Sequence, residues 1–378
     1  MLYGDGIHDD TLELQTMLDG RGIVTVDNPG VYLVSRTLII HSNTRFVLSP
    51  GARLIAAPMS RCALIENEHF TGGGRDENIE IEGGIWDGNC DEMGLDAEYE
   101  ARHRRDVPYE PYNFKGKLIR FANLDRIHLS RMTVRNPVSY GIQIAAVYGF
   151  VVRDIFFDYN WHFGTADGVH INGPACDGVI ENLSGTTNDD MVSLTTYDEE
   201  HAEISLGDIE HVYIHNVSAR NGYSAVRFIS GENFSVKHIR VDGVYGTYRH
   251  HGIIISNHNS RPGRVWFDDI VLEHFHASKS HTPLGEGCFL MWEKNAPRDP
   301  FICFGTGARC GNIVIRDIYR HEEQSSPAPL FSFADTCEID RLCLENILQT
   351  TAEGVPAPPT WDNRGVIHTL VERNAVHG

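Results

Sequence analysis

Apolar and polar positions alternate in short bursts along this chain, and the bursts recur. The segments 140–144, 167–171, 190–194, 224–228 and 251–255 each put apolar residues at every second position, as in Asp167-Gly-Val-His-Ile171. That is the pattern of a strand with one buried face. Their first residues (140, 167, 190, 224, 251) stand 27, 23, 34 and 27 positions apart. A supersecondary unit repeated at about that period predicts a solenoid whose coils stack on one another.

A second strand series interleaves with the first and has the form apolar-x-apolar-x-x-apolar. It includes residues 126–134, 150–157, 178–183, 211–217, 234–239, 312–318 and 339–347. Two series imply at least two strands and a turn in each coil. One helix pattern is present, near the start. Asp9, Asp10 or Thr11 can cap its first turn, and Leu12, Leu14, Met17 and Leu18 give it an apolar side. It reads as a lid on the open end of the solenoid. The chain therefore reads as one all-β domain, 1–378, with an N-terminal cap over 1–20. Two irregular stretches, 88–116 and 275–311, read as loop insertions on one face. Residues 357–378 read as a tail packed along the outside.

Composition narrows the function. The formal net charge is −20, which disfavours nucleic acid and anionic membrane surfaces as partners. No apolar run approaches the ~20 residues of a membrane span. The first residues carry no basic-then-apolar signal pattern, which points to a cytoplasmic protein, or a secreted one whose leader has been removed. The eight cysteines form no Cys-x-x-Cys pair and read as buried free thiols of a reducing compartment. No cofactor and no metal is expected. The oligomeric state is not legible.

The candidate chemistry lies at the strand entrances. If the coils stack as their spacing suggests, Asp167 and Asp190 stand one above the other, with Asp189 beside them. Three crowded carboxylates repel one another, which is more typical of a site than of a scaffold.

The residues also carry a resemblance. The opening Gly4-Asp-Gly-Ile-His-Asp-Asp-Thr11 with Gln15 resembles the start of the pectate-lyase-like right-handed parallel β-helices. Asn78-Ile-Glu-Ile-Glu-Gly-Gly-Ile-Trp-Asp-Gly-Asn89 and Lys117-Leu-Ile-Arg-Phe-Ala-Asn123 are similar to coils of glycoside hydrolase family 28, the polygalacturonases and their relatives. Thr165-Ala-Asp167-Gly168 and Asn188-Asp189-Asp190 resemble that family's Asn-Thr-Asp-Gly motif and its Asp-Asp pair. The resemblance implies a single-stranded right-handed parallel β-helix and an inverting glycosidase acting on a polysaccharide or oligosaccharide. Asp189 would be the general acid, with Asp167 and Asp190 holding and activating the water. Two family motifs are missing: Ser224 stands where a His is expected, and Ile254-Ile255-Ser256 where Arg-Ile-Lys is expected. The basic triplet holds the sugar carboxylate in polygalacturonases, so galacturonan is not the expected substrate.

Strand parity then names the cleft floor. With Val169 and Ile171 inward, His170 faces out, in register with Gln143, Ser193, Arg227 and Ile254. His170, Gln143 and Arg227 are candidate substrate contacts, Arg227 standing in for the missing triplet. His251 is a candidate replacement for the missing His. Trp161 and Tyr197 are candidate stacking platforms in turns beside the carboxylates, with Tyr223 a further one. Two other classes fit the same sequence. One is a calcium-dependent polysaccharide lyase with an Arg base; the other is a non-enzymatic carbohydrate-binding β-helix.

Overall fold

The computed structural model describes residues 1–94, 116–197, 204–231, 233–257, 266–285, 288 and 296–375. Among them are twenty-three strands, all paired in parallel, and one α-helix, Thr11–Asp19. The strands form two ladders. One carries the short strands Asp190–Thr195, Ser224–Ile229, Ile253–Ser256, Ile302–Phe304, Phe331–Phe333 and Trp361–Asn363, preceded by the first halves of Ile142–Asp158 and Val169–Thr186. Its register runs Ile142, Val169, Val192, Val226, Ile253, which reproduces the 27, 23, 34 and 27 spacing of the sequence. Successive parallel rungs joined this way coil right-handed. They lie about 4.8 Å apart.

These five register residues have no exposed surface and form one stripe of the core. The residues between them form an outward column: Arg120, Gln143, His170, Ser193, Arg227, Ile254, Cys303.

The second ladder explains the x-x gap in its pattern. Ile180 and Leu183, Ile214 and Val217, and Ile315 and Ile318 all point inward. The residue just before the later member of each pair, namely Asn182, Asn216 and Asp317, has φ of 56°, 59° and 56°. A left-handed corner turns the chain so that both flanks face the core, and Asn and Asp tolerate that conformation best. The corners also bond along the axis: Asn216 Nδ2 donates to Asn182 Oδ1 at 2.8 Å, and Asn182 Nδ2 to Asp154 Oδ1 at 2.9 Å.

The N-terminal end is closed as expected, through an unforeseen contact. Gln15 on the helix donates Nε2–H to Ile39 O (3.0 Å) and accepts from Ile39 N–H (2.8 Å). A side-chain amide thus fills the hydrogen bonds that a neighbouring strand would make, which blunts the edge strand Leu38–Ile40. Leu14 and Leu18 are buried while Leu12 is exposed, so the apolar side is narrower than expected. A strand, Asp5–Asp9, precedes the helix inside the 1–20 cap and pairs with Gly30–Val34.

Two boundaries are corrected. Residues 357–378 are not a tail: Trp361–Asn363 and Val366–Ala375 pair with Phe331–Phe333 and Glu338–Thr351 as a last coil. Its Val366, in register with the outward Glu338, and its Leu370 are exposed. The 275–311 stretch is not one insertion, since Trp266–Lys279, Ile302–Phe304 and Arg309–Glu322 are all rungs. Of the 88–116 stretch, residues 95–115 lie outside the described residues; Cys90–Glu92 forms a 3-10 turn. Five cysteines are buried, three are half-buried, and all eight are free thiols.

Candidate active site

The first ladder places its strand entrances in two adjacent columns. In one, Asp167 precedes Asp190: Gly168 N–H donates to Asp190 O at 2.9 Å. Asp190 in turn pairs in register with Ser224, and Ala225 N–H donates to His251 O at 3.0 Å. The column beside it holds Asp189, Tyr223 and His250, where His250 N–H donates to Tyr223 O at 3.0 Å. Stacked coils thus bring together residues far apart in sequence.

Asp167, Asp189 and Asp190 each offer an oxygen within 4.8 Å of the other two. The Asp190 N–H is shared between Asp167 Oδ1 (3.2 Å) and Asp189 Oδ1 (3.1 Å). Burial holds the Asp189 carboxyl well above the ordinary carboxylate range, and the charges of Asp190 and Asp167 push it the same way. Arg227 and His250 pull it back only in part. Crowding and burial thus favour the protonated form of Asp189 over its carboxylate.

Each of the other two carboxylates has a cationic or imidazole partner. His170 Nδ1 lies 2.6 Å from Asp167 Oδ2. Arg227 Nη1 lies 3.6 Å from Asp190 Oδ2. Three carboxyls thus meet at one point, one pushed toward its protonated form and two engaged by fixed partners.

The structure places the remaining candidates as follows. His170 is in the outward column, in register with Gln143 and Ser193, but it is wholly buried rather than open to a ligand. Tyr140 stacks on its ring with centroids 4.0 Å apart, and Asn172 Nδ2 lies 3.4 Å from its Nε2. Its contact is Asp167, so it acts on the centre from behind. Gln143 is buried too and donates Nε2–H to Asn172 Oδ1 at 2.8 Å. Arg227 keeps 18% of its side chain accessible, in register with Ser193.

Trp161 lies beside the cluster: its N–H donates to Asn188 Oδ1 at 3.2 Å. Only 8% of it is exposed, and the Arg249 guanidinium covers its ring at 5.9 Å, so it is no open platform. His251 stands in the entrance column, but its Nδ1 lies 2.7 Å from the Pro300 carbonyl and burial pushes it down to about 3, a neutral imidazole. Tyr197 is corrected outright. It follows the far end of Asp190–Thr195, roughly 20 Å from Asp190 at about 3.3 Å per residue.

Four residues were not picked out by sequence. Tyr140 backs His170, and the Lys117 ammonium sits 5.0 Å over the Tyr140 ring. His250 Nδ1 lies 2.6 Å from Asp299 Oδ2. His250 is buried. The register that stacks Asp190, Ser224 and His251 also places His250 two rungs from Asp189 in the adjacent column, with Tyr223 between them. Away from this centre, Cys176, Asp177 and His211 bring three unlike donors within 4.8 Å of one another, although Asp177 and His211 are exposed.

No protein-family model and no curated protein matches the sequence. Solved structures match its fold. A family 28 exopolygalacturonase from Yersinia enterocolitica superposes with a TM-score of 0.56 at 14% identity, over 98% of this chain and 76% of that one. The surface adhesin PfbA of Streptococcus pneumoniae gives 0.59 at 14%, over 96% and 89%. The A-module of the Azotobacter vinelandii mannuronan C-5 epimerase AlgE6 gives 0.54 at 13%, over 98% and 97%. A hydrolase, an adhesin and an epimerase share this scaffold, so the likeness is one of architecture and the chemistry must be argued from the site. The chain has the right-handed parallel β-helix fold of these proteins.

Proposed function

We propose that this protein is a carbohydrate-active β-helix of the glycoside hydrolase type, with Asp189 as general acid and Asp167 and Asp190 as the groups that hold and activate water. The observation that carries this reading is the Asp189 carboxyl within 4.8 Å of two partnered carboxylates, whose charges, after burial, push it toward its protonated form. Glycosidic cleavage needs that division: one carboxyl with a proton to give to the leaving oxygen, and one without.

Asp189 donates its proton as the C–O bond lengthens. Asp167, oriented by His170, and Asp190, beside Arg227, take the proton of the attacking water. The resemblance implies inversion. Retention, through a covalent glycosyl intermediate on a carboxylate, is the alternative stereochemistry. The anomeric configuration of the first product decides between the two.

The substrate is a neutral or weakly charged plant-type oligosaccharide or polysaccharide side chain, not polygalacturonan. Ile254, an apolar residue, occupies the outward position next to Arg227, where the basic triplet of the polygalacturonases would begin. The lyase reading is disfavoured by its own base, because an Arg stays protonated in proteins and Arg227 faces a carboxylate. A glycan panel digested with the pure protein, its products followed by NMR, tests substrate and stereochemistry together. Products carrying a new carbon–carbon double bond would make it a lyase, and no cleavage of any glycan would leave a binding protein.

A further inference from the structure

Asp189 has a neighbour that the mechanism above does not use. Tyr223 stands one rung from it in the same column and His250 one rung further, and the Tyr223 and His250 rings stack with centroids 4.0 Å apart. His250 is buried, with Nδ1 2.6 Å from Asp299 Oδ2. Asp299 arrives on the connection that precedes Ile302–Phe304, so it joins the site from a segment more than a hundred residues after Asp189. Lys279, also buried, donates from Nζ to the backbone oxygens of both His250 and Asp299, the latter at 2.9 Å. An imidazole stacked on one face, held at Nδ1 by a carboxylate and tied through its own backbone is fixed in one orientation, with the carboxylate placed to favour its cationic form.

We propose that His250, held by Asp299, is a positioning residue for Asp189: across Tyr223 it supplies the positive charge that stabilises the Asp189 carboxylate once its proton has left. The proposal rests on the glycosidase reading. In that step the Asp189 O–H bond breaks, the proton goes to the leaving glycosidic oxygen, and the electron pair stays on Asp189. The proton of the attacking water passes to the Asp167–Asp190 pair, which then releases it to solvent, while Asp189 regains its own from solvent.

The charged groups facing these residues set the sign. Asp189 faces Asp190 and Asp167, which favour its protonated form, and Arg227 and His250, which favour its carboxylate. Tyr223 faces Asp189, Asp190, Arg227 and Asp299. Asp299 faces His250, His251 and Lys279; of these, burial holds His251 neutral and brings Lys279 down to about 7. Removing the His250 charge must therefore shift Asp189 toward its protonated form.

The test is a carbon-13 NMR titration of the side-chain carboxyls, with the Asp189 resonance assigned by its loss in Asp189→Asn. In His250→Gln and in the isosteric Asp299→Asn, the Asp189 midpoint should rise by about half a pH unit or more. A midpoint unmoved or lowered in these variants overturns the proposal, and Asp299→Asn carries the test alone if His250→Gln does not fold. The titration uses no substrate, so it can fail while the glycosidase reading stands. That reading fails separately, if Asp189→Asn leaves turnover intact.

Discussion

His170 Nδ1 lies 2.6 Å from Asp167 Oδ2, and both side chains are shut away from solvent, the imidazole stacked on Tyr140 and reached by Asn172 at Nε2. The imidazole comes from the outward column three residues after Asp167, so one strand supplies both the carboxylate and the group that aims it. A misaimed base costs rate rather than binding. His170→Asn should lower kcat by about ten- to a hundredfold and leave KM within about twofold. Steady-state kinetics on the substrate found by glycan screening, with circular dichroism as the folding control, checks this. A rise in KM alone would instead make His170 a substrate contact.

Arg227 is the cation that combines nearness to the cluster with solvent access. Its fork can take a bidentate partner on the ligand, which Lys cannot reproduce. Arg227→Lys keeps the charge and loses the fork, so KM should rise about tenfold or more with kcat within a few-fold. Arg227→Gln also removes a charge that favours the Asp189 carboxylate. It should move the basic limb of the kcat/KM profile upward, which Arg227→Lys should not. Unchanged kinetics in both variants would place the cleft elsewhere.

The same electrostatics make the site a stability liability. The folded Asp189 carboxyl is held above its unfolded value by burial and by two carboxylates. Its contribution is therefore fully present below the unfolded value, near pH ~4, and is lost as pH rises through the folded one. Asp189→Asn cannot ionise and escapes that loss. Its Tm should match the wild type near pH 4 and exceed it increasingly toward pH 8 in a calorimetric series. An Asn variant less stable than wild type at pH 8 would show that the carboxylate is well accommodated.

The corner residues can be tested without any substrate. Asn216 has φ 59° and donates to Asn182 Oδ1 at 2.8 Å. Asn216→Ala should cost about 1–2 kcal/mol for the left-handed conformation. Asn216→Gly, free of that strain, should cost less. Urea unfolding that ranks Gly below Ala in stability would contradict the corner as the cause.

Much of this architecture was legible because inward positions in a solenoid must be apolar at fixed intervals. The entrances at 140, 167, 190, 224 and 251 and the register of Ile142, Val169, Val192, Val226 and Ile253 tell the same story. Legibility ended where the interval broke. The step from Ile253 to Ile302 is almost twice the usual one, so Asp299 could not be placed opposite His250 by counting. The coil of Trp361–Asn363 and Val366–Ala375 hid for another reason: its second strand leaves Val366 and Leu370 exposed and reads as polar tail. Parity pointed His170 outward correctly, but it does not say what lies over an outward residue. For that reason His170 and Gln143 were read as cleft floor, where the structure holds both of them buried.

The most direct measurement is turnover by Asp189→Asn on a glycan that the wild type cleaves. If Asp189 gives the leaving oxygen its proton, turnover should fall by two or more orders of magnitude. The fold should persist and Tm near neutrality should be equal or higher, with wild-type products that carry no new double bond and form undiminished in the presence of chelator. Turnover of Asp189→Asn within a few-fold of wild type would contradict the assignment of Asp189 as the acid.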